Sequence, residues 1–250
     1  MKIWMVLIFL LLMAVPCAAS DKEAALQMTT ALENSVIEMQ FNYAENLGDG
    51  RGITFGCVGF CTGTYDGNIL IKHYTELNPN NDLARFIPAL DAIDSSSHTA
   101  TAADRDGNPS VEGLDGFIEA VKGCDDPLFE QAQLDMLDKL YWDPAMKLAE
   151  GAGCKNALTK AFIYDMYVRH GPNGAQSIMK EAGSVGDDEN AYLERLFQYR
   201  DSALKNEGLG DVDRDNGYKQ VLEAGNIDLA TPFTFEAHGD MFNISGDLGI

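Results

Sequence analysis

The sequence predicts a mainly α (α+β) fold with a small β-sheet in the N-terminal half. Three observations point there. Apolar residues recur at helical spacing through most of the chain. Only one β-rich stretch is evident early on, residues 53–64, behind a glycine-rich bend. With 46% hydrophobic residues spread along 250 positions, the chain is long enough to bury the core of one large domain or two tightly packed lobes.

The elements follow in order. Residues 1–20 predict a secretory signal peptide: Lys2, an apolar run from Ile3 to Val15, then Pro16, Cys17, Ala18, Ala19 and Ser20. That run is too short to span a bilayer comfortably, so an exported chain of residues 21–250 is expected, with no membrane anchor after cleavage. Ala25, Leu26, Leu32, Val36, Ile37, Phe41 and Ala44 predict helix across 22–46, with a break at Asn34-Ser35. "GNILIKHYTEL" predicts a helix that Pro79 ends, and "NDLARFIPALDAI" a shorter one broken at Pro88. Residues 94–113, rich in Ser, Thr, Asp and Gly, predict a loop at a hinge or lobe boundary. In "PLFEQAQLDMLDKLYW", Leu128, Ala132, Met136, Leu137 and Leu140 predict one buried face. "NALTKAFIYDMYVRHG" predicts a buried central helix stopping at Gly171-Pro172, with His170 capping its end. "NAYLERLFQYRDSALKN" predicts an amphipathic helix, and the aromatic tail from Asn226 a non-helical segment.

Charge narrows the partners. The chain has 18 basic and 39 acidic residues; without Lys2 the balance is 17 − 39 = −22. Nucleic acid and anionic membrane surfaces would be repelled. An acidic exoprotein is either simply well solvated or suited to a cationic substrate. Four cysteines remain beyond the leader: Cys57, Cys61, Cys124 and Cys154. An oxidising compartment allows three connectivities, and the loop-edge positions of Cys124 and Cys154 predict that these two pair. Cys57-x₃-Cys61 has neither zinc-knuckle spacing nor a nearby His, so no metal is expected.

The motifs point to carboxylate chemistry. "DVDRDNG" at 211–217 resembles the start of a calcium loop, but Gly217 and Glu223 each fall one place late, which favours a helix N-terminus. No Gly-x-Ser-x-Gly elbow is present. Glu33 lies beside Leu32, Val36 and Ile37, where desolvation would suit it to donate a proton. Asp49 lies in "GDGRG", a bend that keeps it solvated and ionised as a base requires. One acid on a helix and one on the following turn suits glycoside hydrolysis.

The segments "TTALENS", "FNYAENLGDGRGITFGCVGFCTGTYDG", "HYTEL", "FEQAQLD", "YWDPA", "IYDMYVRHGP" and "GNIDLATPFTF" resemble, in order, the family 46 chitosanases from about residue 27 to residue 244. The resemblance implies a lysozyme-like fold of two lobes flanking a substrate cleft. It implies endo-hydrolysis of β-1,4-linked glucosamine polymers with inversion, no cofactor, and a monomer. It makes Glu33 the general acid, Asp49 the general base and Thr54 the residue that positions water. Asp66 becomes the acid that holds a substrate amino group. Arg51, Asp165, Arg200 and Arg214 become an ion-pair network supporting the acid and base. Glu38 and Glu45 are the fallback acids, and Ile53 stands where many relatives carry an aromatic residue. Two other readings share this fold: a non-catalytic binder of cationic polysaccharide and a lysozyme-type peptidoglycan hydrolase.

Overall fold

The computed structural model describes residues 21–96, 107–206 and 213–248. The expected signal peptide, residues 97–106 of the 94–113 loop and the first two residues of the calcium-loop-like motif lie outside them. The fold is mainly α with a small N-terminal sheet, as the sequence predicts, and a second, two-stranded sheet that it does not.

Helix α1 (Asp21–Asn34) carries Asp21 and Glu23 in its first turn, where they complement the positive end of the helix dipole. Residues Ala24 to Leu32 are all buried, so α1 runs through the core. It ends because Ser35 adopts φ 57°, a left-handed conformation that no helix continues through. The helical spacing to residue 46 is therefore misleading beyond this point: residues 35–43 are irregular, and Ala44–Glu45 form strand β1. β1 pairs antiparallel with β2 (Thr54–Phe55), which pairs with β3 (Phe60–Cys61), in the predicted β-rich stretch.

Helix α2 (Asp66–Leu77) follows directly. A single 3₁₀ turn (Asp82–Phe86), capped by the Asn81 side chain on the Ala84 amide at 2.8 Å, leads into α3 (Ile87–Ser96). Pro88 falls in the first turn of α3, where its missing N–H costs nothing; it marks a boundary rather than a kink. After α4 (Phe117–Lys122) comes α5 (Pro127–Leu137), capped by Asp126. The face of α5 that packs inward is Phe129, Ala132, Gln133, Met136 and Leu137. Leu128, placed on that face by spacing, is 42% exposed, because it sits beside the cap with its side chain turned outward. One π-helical turn (Asp138–Trp142) joins α5 to α6 (Asp143–Ala152).

The longest helix, α7 (Ala157–Ala182), packs against α1 and α6, and also against α8 (Glu189–Asn206) and α9 (Asp213–Glu223). Its first helical segment stops at Gly171-Pro172, as the sequence predicts: Gly171 takes the non-helical φ 68° and ψ 174°, the chain kinks, and a second segment starts from Pro172. His170 lies buried at the end of the first segment. α9 begins at Asp213, so the calcium-loop-like motif runs into a helix, and Gly217 sits mid-helix under the Phe235 ring. The aromatic tail forms a hairpin, β4 (Phe233–Ala237) with β5 (Asp240–Ile244). One continuous core runs from Ala24 to Ile244. No helix among the described residues is long and apolar enough to cross a membrane.

Candidate active site

A cleft of about 440 Å³ opens between the N-terminal sheet and the long central helix. Glu33 and Thr30 line it from the last turns of α1, Arg51 from the glycine-rich bend, Thr54 and Cys61 from β2 and β3, and Gly171 from the kink of α7. The π turn brings Tyr141 into the same cleft, opposite Asp66 at the start of α2.

Glu33 is held from behind. Its carboxylate pairs with Nη1 of Arg214. The same guanidinium donates through Nε (2.9 Å) and Nη2 (2.7 Å) to Asp165 on α7. Arg200, from α8, donates through Nη1 to the other side of Asp165 at 2.7 Å. Asp165 and Arg200 are fully buried and Arg214 nearly so. Burial pushes the Asp165 carboxyl up, but Arg214 and Arg200 outweigh it and hold this acid below the usual carboxylate range. Thr29 and Tyr218, their hydroxyls 3.4 Å apart, close the cluster on the α1 side. The Glu33 side chain is 34% exposed. Its neighbours thus differ from the sequence expectation: Leu32 turns into the core, whereas Glu33 opens on the cleft beside a cation rather than against apolar side chains.

Asp49 is held differently. It is exposed on the bend, where it accepts from the Arg51 amide (3.1 Å), Nε (2.9 Å) and Nη2 (2.5 Å). Gly48, Gly50 and Gly52 all have positive φ (67°, 89°, 76°), which other residues adopt only with strain. At Gly52 even a methyl group would meet Thr62 Oγ1 at 2.3 Å. Arg51 lines the cleft; Asp49, which pairs with it, is not among the lining residues. Arg51 therefore does not share the Asp165 network with which the sequence grouped it. There are two ion-pair systems, one behind each acid.

Thr54 is buried on β2, its hydroxyl 3.4 Å from the Cys61 sulfur. Asp66 is 5% exposed and accepts from the Thr64 and Tyr141 hydroxyls, both at 2.6 Å, and from the Cys61 amide at 3.3 Å. Desolvation raises its pKa, and these donors work against that. Asp66 is the first residue of α2 but not its cap; Tyr65 occupies that position at φ 69° with no side-chain cap. The fallback acids Glu38 and Glu45 are exposed and do not line the cleft. Burial pushes the Cys57 thiol up to about 12 and Cys61 up to about 11, so neither is a thiolate nucleophile. The expected Cys124–Cys154 bridge is absent: all four described cysteines are free. Cys124 lies against the Tyr74 hydroxyl at 3.6 Å, while Cys154 is buried near Glu189, so different parts of the fold surround the two.

The sequence matches glycosyl hydrolase family 46 over residues 27–233. The chain belongs to this family. It is 36% identical over 239 residues to the chitosanase of Streptomyces sp. (strain N174), spanning 90% of this chain and 82% of that protein. The chitosanase of Bacillus subtilis (strain 168) is 33% identical over 232 residues, spanning 85% and 80%. Among solved structures, the native chitosanase of Bacillus subtilis MY002 superposes with a TM-score of 0.81 at 30% identity, over 90% of this chain and 98% of that one. The family 46 chitosanase of Gynuella sunshinyii, solved with chitotetraose, gives 0.79 at 31% identity over 90% and 98%.

Two residues of this family 46 site escaped the sequence reading. Tyr141 appears there only within "PLFEQAQLDMLDKLYW" and "YWDPA", with no role attached. Asp215 appears there only within "DVDRDNG", which the sequence favours as a helix N-terminus. Helical spacing holds the missed signal: Arg214, Tyr218 and Val221 repeat on the inward face of α9, and Asp215 lies beside them.

Proposed function

We propose that this family 46 glycoside hydrolase is a secreted endo-chitosanase that cleaves β-1,4 linkages between glucosamine units with inversion. The observation that carries the reading is two carboxylates on separate elements, each held by its own arginine: Glu33, which lines the cleft, by Arg214, and Asp49 by Arg51, which lines the same cleft. Glu33, as general acid, gives its proton to the leaving glycosidic oxygen. Asp49, as general base, takes a proton from a water that the Thr54 hydroxyl orients, and that water attacks from the opposite face of the sugar. An inverting pair must leave room for this water, so the two carboxyl groups stand at least ~6.5 Å apart when substrate is bound. Asp66 receives a substrate ammonium in a charge-assisted hydrogen bond. An amide would leave that buried carboxylate uncompensated, which favours deacetylated chains.

Several facts support the substrate class. The relatives are chitosanases, and one solved relative carries a glucosamine hexamer and another chitotetraose. The net charge of −21 attracts a polycation and repels an anionic bacterial wall. All these groups lie on one chain, so a monomer suffices. The N-terminal twenty residues serve export in this reading. The test incubates the purified protein with fully deacetylated chitosan, chitin and peptidoglycan, sizes the products and follows the first anomer by NMR. Shortening of chitosan with an initial α-anomer is expected. A β-anomer would reject inversion, and intact chitosan would reject the activity.

A further inference from the structure

The pairing of Glu33 with Arg214 poses a problem for a proton donor. A neighbouring cation favours the ionised carboxylate, whereas a general acid must arrive carrying its proton. The structure offers an answer behind Arg200. Asp215, on α9, is fully buried, and its Oδ1 lies 3.0 Å from Nη1 of Arg200. Neither Asp215 oxygen has a hydrogen-bond partner among the described residues, and Nε and Nη2 of Arg200 have none either. The contact is one of charge alone.

The five groups form one chain: Asp215, Arg200, Asp165, Arg214 and Glu33. It contains three carboxyls and two guanidiniums. Arginine keeps its proton at any working pH, and Asp165 is held ionised by both arginines. A buried cluster is costly unless its charges balance. Neutrality then requires one negative charge, not two, from the chain's two ends.

We infer that Asp215 is a positioning residue for this reaction: through Arg200, Asp165 and Arg214 it governs how readily Glu33 retains its proton. When Asp215 is ionised, the cluster already balances and Glu33 holds its proton despite Arg214. When Asp215 is protonated, Glu33 is freer to ionise. No proton travels along the chain; the coupling is electrostatic. The other groups facing Asp215 are Asp201 and Asp165, which oppose its ionisation, and Lys219, which favours it. Burial is the main influence and pushes Asp215 up to about 6, so it ionises in the mildly acid range. The inference rests on Glu33 being the proton donor, as proposed above.

The test reads the coupling directly. Carboxyl ¹³C signals of Glu33 and Asp215 are followed by NMR against pH in the wild-type protein, assigned with Glu33→Gln and Asp215→Asn. Coupled groups titrate in shared steps, so Glu33 should move in two steps, one coinciding with Asp215. In Asp215→Asn it should move in one, and the alkaline limb of the kcat/KM profile should shift to lower pH by about half a unit or more. A single-step Glu33 titration in the wild type overturns the inference, whether or not the variant folds. So does an Asp215→Asn enzyme that loses activity equally at every pH, the mark of a structural role alone. The titration does not depend on catalysis: a fully active Glu33→Gln enzyme would reject the proposed acid and leave the coupling to be judged by the NMR.

Discussion

The two sides of the cleft hold their carboxylates in opposite ways. Glu33 stands at the end of a buried ladder built from α1, α7, α8 and α9, in which Asp165 and Arg200 have no exposed surface. Asp49 stands on an exposed bend with three positive-φ glycines, tied to the side chain two residues away. The first arrangement fixes a position; the second allows adjustment. The difference suits the two proposed tasks. An acid meets one glycosidic oxygen in a fixed place, whereas a base must settle around a water and a sugar that arrive together. On this view the Glu33 side is preorganised, and the Asp49 side completes its geometry when substrate fills the cleft.

The largest expected effect tests whether both sides carry chemistry at all. Glu33→Gln and Asp49→Asn should each lower kcat by roughly 10²–10⁴-fold, the usual worth of general acid or base help, with melting temperatures close to wild type. If Glu33→Gln stays active and Glu38→Gln does not, the acid has been placed a turn too early, and the comparison loses one of its sides.

The next effect separates the two sides by stability. Asp165→Asn leaves two buried guanidiniums short of a counter-charge, a loss of about 3–5 kcal/mol and roughly 6–20 °C in Tm for a chain of this size. Arg51→Ala removes a partly exposed pair worth about 0–1 kcal/mol and should barely move Tm. Its kcat should still fall by about 10²-fold, because a base displaced by an ångström loses its alignment. Equal Tm losses in the two variants would erase the distinction. The pH dependence has opposite signs within the ladder. Asp165, lowered in the fold, contributes stability that is present above the usual carboxylate range and lost as pH falls. Asp215, raised to about 6, favours folding below that range and loses this contribution as pH rises through 6. A urea midpoint measured against pH should therefore gain at the alkaline end in Asp215→Asn relative to wild type.

Two glycines of the bend sharpen the comparison at smaller cost. Gly50 and Gly52 both have positive φ, but a methyl at Gly50 meets nothing within 4 Å, whereas one at Gly52 strikes Thr62 Oγ1. That hydroxyl is fixed, since it accepts from the Ile53 amide at 2.9 Å. Gly50→Ala should cost only backbone strain, about 1–2 kcal/mol. Gly52→Ala should also shift Arg51 and with it Asp49, lowering kcat/KM about tenfold further. Equal losses in the two would mean that the bend adapts as a whole.

Much of this was legible in the sequence, and the gaps have physical causes. Helix positions followed apolar spacing wherever the chain was regular. The breaks at Ser35 and Gly171 fall where the sequence puts them, but helical spacing failed beyond the first: residues 35–43 are irregular and Ala44–Glu45 form a strand rather than a second helix. Spacing also put Leu128 on the buried face of α5, because apolar residues near a helix start fit more than one face. Glu33, Asp49, Thr54 and Asp66 stood out through motif and resemblance, since bends and helix ends mark themselves locally. The ladder's Asp165, Arg200 and Arg214 came from the resemblance alone, because they meet only through the packing of three helices. Grouping Arg51 with them was the natural error: charge identifies a candidate for an ion pair but not its partner. Asp215 went unnoticed for the same reason, its ion-pair partner among the described residues being Arg200 on another helix.

The smallest expected effect concerns the floor of the cleft. Tyr141 reaches Asp66 from the π turn, its hydroxyl donating to Oδ2 at 2.6 Å. Burial raises the Asp66 carboxyl, and the Thr64 and Tyr141 hydroxyls oppose that rise by favouring the ionised form. Tyr141→Phe deletes one of these donors and keeps the ring that packs edge-on against Phe60. Asp66 should then hold its proton to higher pH, and a protonated carboxyl attracts a glucosamine ammonium only weakly. A hydrogen bond to a charged group is worth about 1.5–3 kcal/mol when lost outright, but Thr64 and the Cys61 amide remain, so KM for chitosan should rise by only about threefold to tenfold. The rise should be largest at acid pH and shrink as pH increases and Asp66 ionises regardless. kcat should change less than KM, since the hydrogen bond lost is to Asp66 and not to a proposed reacting carboxylate. A KM that is unchanged across pH, with a lowered Tm, would make Tyr141 a packing residue and would count against Asp66 as the group that reads the substrate's charge.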